Sequence, residues 1–142
     1  MSAETKAAKK KRIHPLLWVP TLYLSESLPF NVVLFATVQF FASMRLLPEN
    51  AWLTDGQIAF WTAMLGWPWS LKPFWSPLLE MYRTKKHIVV ATQFIGGVCF
   101  GLVALAIPVP FWFQIVIAIF YILAFNAATH DIAADGVYID TL

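Results

Sequence analysis

Asn126-Ala-Ala-Thr-His-Asp-Ile-Ala-Ala-Asp-Gly-Val-Tyr-Ile-Asp140 follows the apolar run 111–125 with no turn signal between them. Two carboxylates, Asp131 and Asp135, therefore ride on a helix that begins as a membrane-type segment. An ionisable group at membrane depth is costly, and is kept where it faces a bundle interior or a wet path. At i, i+4 and i+7, Asp131, Asp135 and Tyr138 share one helical stripe. Ala124, Ala127 and Ala128 lie on nearly the same stripe, which leaves room for a close neighbour. Asn126 and His130 make a second polar pair on an adjacent face, so lipid cannot cover both faces cheaply.

The composition around this stretch is that of a membrane protein. Of 142 residues, 59% are hydrophobic and 13% charged, with seven Trp and twelve Phe. Soluble domains carry about twice that share of charge, and a chain of this length has no core large enough for so many apolar groups. Four stretches are long enough to span, at about 20 apolar residues each. They cover 15–44, 56–81, 87–107 and 111–139. Pro20 and Pro29 should bend the first, and Pro68, Pro73 and Pro77 interrupt the second, because proline lacks the helix donor and clashes with the preceding turn. Thr54 or Asp55 can cap the second helix. Pro108-Val-Pro110 makes a tight connection between the third and fourth. Gly97-Val-Cys-Phe-Gly101 on the third is a small-residue pattern that we assign to packing within the chain. Most of the tryptophans suit interfacial belts or lipid contact.

Charge sets the expected orientation. Lys6, Lys9, Lys10, Lys11 and Arg12 form a basic tail over 1–14, and Arg83, Lys85 and Lys86 lie between the second and third spans. Together they are eight of the ten Lys and Arg, so the positive-inside rule puts both sets in the cytoplasm, with residue 142. An apolar run follows the tail at once, which favours a topology signal over nucleic-acid binding. The first run is too long for a cleavable signal peptide and lacks a small-residue cleavage site. Cys99 has no second cysteine to pair with.

No metal-ligand spacing, nucleophile elbow or phosphate loop appears, so we expect neither an enzyme nor a cofactor or metal. The chemistry-bearing groups are the ionisable residues inside the spans: Glu26, Lys72, Asp131 and Asp135, with His130 a weaker fifth. At about 1.5 Å per residue, Glu26 lies roughly 16 Å from Pro15, Lys72 roughly 12 Å from Glu80 and Asp131 roughly 13 Å from Asp140. All three fall in one layer of the cytoplasmic half, where Lys72 can pair with an aspartate of the fourth helix. We take Asp131, Asp135, Lys72, Glu26, His130, Asn126 and Tyr138 as candidates for proton coupling or substrate contact.

Two stretches resemble a known family. Trp67-Pro-Trp-Ser-Leu-Lys-Pro-Phe-Trp-Ser-Pro-Leu-Leu-Glu80 and Ala128-Thr-His-Asp-Ile-Ala-Ala-Asp-Gly-Val-Tyr138 are similar to motifs of major facilitator superfamily transporters, nearest the muropeptide permease (AmpG-type) branch. The resemblance implies the N-terminal part of a twelve-helix fold of two six-helix halves. It also implies a bacterial inner-membrane permease that moves a small polar solute by alternating access with proton coupling, possessing remaining helices beyond Leu142. Related folate–biopterin and acetyl-CoA transporters share part of the pattern. Glu80, Arg83, Lys85 and Lys86 would correspond to that superfamily's conformational latch, with Ser76, Met81 and Arg83 departing from its motif. His130 stands where that branch carries glutamine. A stand-alone four-helix structural or assembly protein of the membrane is the competing expectation.

Overall fold

The structure is a computed structural model, which describes residues 15–81 and 85–141. Every regular element among the described residues is helical. The basic tail 1–14 and Arg83 lie outside the described residues.

The first helical path comprises α1 (Pro15–Asn31), a π segment (Val32–Ala36) and α2 (Thr37–Arg45). Pro20 and Pro29 sit inside α1. Proline brings no N–H to the carbonyl four residues back, so the ladder is interrupted twice. The ladder widens just after Pro29. Thr37 sends both its backbone N–H and its hydroxyl, at 2.9 Å, to the Val32 carbonyl five residues back. Wide turns of this kind are inserted into helices mainly where local geometry is under functional constraint.

The second expected span, 56–81, is not one helix. It is broken into α3 (Asp55–Met64), α4 (Trp67–Leu71), a 3-10 turn (Lys72–Phe74) and α5 (Ser76–Glu80). Pro68, Pro73 and Pro77 each occupy the first turn of a new piece. That is the position where a missing N–H costs nothing, so each proline restarts a helix after ending the previous one. Thr54 is the N-cap of α3. Its hydroxyl accepts from the Gln57 N–H at 3.2 Å and its own N–H donates to Gln57 Oε1 at 2.9 Å, a complete capping box.

α6 (Lys85–Ala106) and α7 (Trp112–Thr141) are continuous, and their bounds lie close to those expected. They are joined at Pro108–Pro110, where Phe111 takes a positive φ of 64°. Three helical segments, 17–45, 85–106 and 112–139, are long and apolar enough to cross a membrane. Large apolar side chains such as Leu17, Phe35, Val90, Phe94 and Leu105 are exposed along them. So much uncovered apolar surface fits a lipid surround and not water.

α7 is the central element, packed against α1, α4, α5 and, along most of its length, α6. Val116, Leu123, Ala124 and Ala128 on α7 are fully buried. Gly96 is the point of close approach on α6: a Cβ there would lie 3.5 Å from Asn126 Nδ2 and 3.8 Å from Leu123 Cδ1. Gly97 and Gly101 have open space where a Cβ would stand, contrary to the packing role expected of them. Residues 92, 96 and 99 form the buried stripe on α6, and 97 and 101 point about 130° and about 170° away from it.

The later pieces of the broken run, from α4 to α5, lie beside α7, whereas α3 packs on α2 and the π segment. Trp52 meets Phe113 edge-on at 5.7 Å, Trp75 lies 5.6 Å from Phe125, and Leu79 and Glu80 share a cavity wall with Ala133 and Gly136. Trp69 stacks edge-on with Phe30, and Trp112 is buried among Phe40, Phe41 and Phe113. Trp69, Trp75 and Trp112 thus pack into the interior instead of the belts or lipid contact expected of most tryptophans, whereas Trp52, Trp61 and Trp67 stay exposed.

Candidate functional site

The polar residues separate into two groups on adjacent faces of α7. The first gathers α1, the 3-10 turn and α7. Lys72 Nζ and Asp131 Oδ2 form an ion pair whose side chains are only 24% and 18% exposed. Lys72 reaches Asp131 because the helix is broken at Pro73. The 3-10 turn places the lysine between two short helices, with its head free to swing to α7. Glu26 and Asp135 are close enough to this pair to interact with it electrostatically. Tyr23, one turn before Glu26, meets Tyr138 edge-on at 6.0 Å. Thus Glu26, Lys72, Asp131, Asp135 and Tyr138 come together, with Tyr23 as an addition.

Charge is unbalanced in this group. Three carboxylates face one ammonium, and Asp131 already holds that ammonium. Glu26 Oε2 is shielded and has no hydrogen-bond partner, and the same is true of the Trp75 indole N–H beside the group. A bare acceptor and a bare donor next to an ion pair mark a place where polar valence is left open. α7 has 30 residues and rises about 45 Å, against about 30 Å for a bilayer core. Asp131 lies about 29 Å along it from Trp112, so the group sits toward the Lys85 end of the apolar layer.

The second group faces α6. Thr92 donates its hydroxyl proton to the Ile88 and Val89 carbonyls, at 2.8 and 2.9 Å. Its oxygen then accepts from His130 Nδ1 at 2.8 Å, which assigns His130 the Nδ1–H tautomer. Asn126 donates to the Thr92 carbonyl at 2.8 Å. His130 is 3% exposed and its Nε2 has no partner. Asn126 and His130 are therefore not joined to the carboxylate group. They staple α7 to α6 at the level of Gly96, where the helices are closest. Thr92 had no charge to betray it in the sequence; only its i+4 place before Gly96 puts it on that stripe.

At the Lys85 end, the Lys85 side chain lies across Gly136, with its Cδ where a Cβ would be 2.6 Å away. Glu80, Lys85, Ile88, Ile132 and Gly136 line a cavity of about 390 Å³. Lys86 is exposed. Gln93 of α6 donates to the Ser25 hydroxyl of α1 at 2.9 Å, a cross-link that carried no sequence signal.

Comparison with family models, with curated proteins and with solved structures returns no match.

Proposed function

We propose that this chain is part of a membrane permease of the major facilitator type, nearest the muropeptide branch, that moves a small polar solute with proton coupling. The observation that carries the reading is the Lys72–Asp131 ion pair with Glu26 and Asp135 around it, three of the four residues lying in segments otherwise built for lipid. Shielding the Lys72–Asp131 pair with a half-buried Glu26 nearby is expensive, and an arrangement with surplus carboxylates is far from the cheapest structural solution. It is suited to binding and releasing a proton or a polar solute. The lysine is presented by a proline-broken segment and the acids by a continuous one. Relative movement of the two would make or break the pair, the kind of bistable contact that alternating access uses. Under this reading the broken run is a fourth crossing. The Lys85 end is cytoplasmic in a bacterial inner membrane, and Glu80 with Lys85 at Gly136 is the latch.

Energised membrane vesicles from cells expressing the complete gene product test this. A labelled disaccharide-peptide is offered with and without an imposed pH gradient. Gradient-driven uptake by the native protein, and its loss in Asp131→Asn with the protein still present in the membrane, is the expected result. Uptake unchanged by that substitution would remove Asp131 from the mechanism.

A further inference from the structure

A second cavity lies at the other end of the molecule, between the connections 46–54 and 107–111. Its volume is about 750 Å³, within the span of about 300–1,000 Å³ typical of small-molecule sites. The floor is fixed. The Trp112 indole donates to Asn50 Oδ1 at 3.0 Å, and the Asn50 amide donates to the Met44 carbonyl at 2.9 Å, so both connections are tied to one buried side chain. The walls present aromatic faces. Trp52 is 48% exposed although its ring is braced edge-on against Phe113, and Phe111 is 77% exposed. Phe111 is held there by a backbone with positive φ, a conformation that a bulky residue rarely adopts. Strain of this kind concentrates where a side chain has to be presented in one direction.

The charge on the cavity is as specific as its shape. Glu49 is the one charged residue in the two connections. It is exposed and lines the cavity. The neighbouring Arg45 is paired with Asp55, so it does not neutralise Glu49. No lysine or arginine lines the cavity. A carboxylate set among aromatic faces attracts a cation through charge and ring quadrupole together, as aromatic cages do for quaternary ammonium groups. An anionic solute would meet Glu49 with nothing to offset it. We infer that this cavity is a binding site for a small organic ammonium ion, recognised by Glu49, Trp52 and Phe111.

Equilibrium binding of radiolabelled choline to the full chain in phosphatidylglycerol nanodiscs tests the assignment, since those lipids carry no ammonium headgroup. Saturable binding that tetramethylammonium displaces and glucose does not is expected. Glu49→Gln and Trp52→Leu should each weaken it about ten-fold or more, the loss of one strong charge or cation–π contact. Phe111→Gly should weaken binding while raising the unfolding temperature, which separates loss of the ring from loss of the fold. Gly97→Leu, on an open face of α6 outside the cavity, should leave choline binding unchanged, and because no residue of the cavity belongs to the Lys72–Asp131 group, this result stands or falls apart from the transport reading. Absence of saturable binding, indifference to Glu49→Gln, displacement by glucose, or loss of binding in Gly97→Leu would each overturn the assignment.

Discussion

Lys72 and Asp131 illustrate how much a single contact in this protein depends on its partner. Each is mostly screened from solvent, and each is the other's ion-pair partner at close range. Removing Lys72 leaves Asp131 charged and uncompensated, which costs about 3–5 kcal/mol for buried pairs, and removing Asp131 leaves Lys72 with only the more distant Glu26 and Asp135, whereas replacing both with apolar groups is often neutral. Lys72→Met and Asp131→Leu should therefore each lower stability by up to that amount, discounted for the residual exposure. The double substitution should recover most of the loss. A double-mutant cycle by denaturant unfolding in mild detergent reads the coupling; additive losses would mean that the pair is not formed. The two residues could be proposed as partners from their distances to the helix ends. That Asp131 rather than Asp135 takes the lysine could not, because the choice rests on the direction in which the 3-10 turn at Lys72–Phe74 aims the side chain. Asn126 and His130, the weaker fifth candidate, were expected on the adjacent face, and the packing of α6 on α7 joins both to Thr92.

The elements follow local chemistry closely where one residue type dominates. Pro68, Pro73 and Pro77 mark the restarts of α4, the 3-10 turn and α5, and Thr54 with Gln57 marks the start of α3. A hydropathy reading runs these pieces together, since it averages over prolines that the backbone cannot ignore. The glycines of α6 show the opposite limit. Gly97 and Gly101 have the spacing of a packing motif, yet the contact with α7 uses Gly96. Gly96→Leu should push α6 from α7 and break the Asn126–Thr92 and His130–Thr92 bonds, costing about 2–4 kcal/mol by overpacking and lost buried hydrogen bonds. Gly97→Leu and Gly101→Leu should stay within about 0.5 kcal/mol or stabilise the helix. Thermal unfolding of the three variants decides the matter; equal losses at all three would contradict the observed face of contact.

At the scale of the molecule, α7 is the axis and the later part of the broken run is laid beside it, from Trp75 at Phe125 to Leu79 and Glu80 at Gly136. If that run crosses the bilayer as α7 does, the segments just before and after it lie on opposite sides. Leu46→Cys and Met81→Cys occupy exposed positions there, and buried Cys99 can be replaced by alanine as background. A membrane-impermeant thiol reagent should label Leu46→Cys from one side of sealed vesicles and Met81→Cys from the other. Labelling of both from the same side would make the run a re-entrant segment and remove the proposed fourth crossing.

Apolar content, the length of the runs, the prolines and the capping residues are local properties, and each is read from the chain directly. They determine that the protein is helical, that its long helices suit a lipid surround, and where those helices stop. The grouping of its polar residues is different, because a helix exposes side chains in every direction and only its neighbours decide which of them meet. Tertiary packing divided the polar residues around α7, sending Asp131 and Asp135 toward Lys72 and Glu26, and Asn126 and His130 toward Thr92. It also closed the Trp112 end around Asn50, with Phe111 held at positive φ beside Glu49. Asn126 to Asp140 thus belongs to two contacts, one ionic and one neutral, on adjacent faces of a single helix.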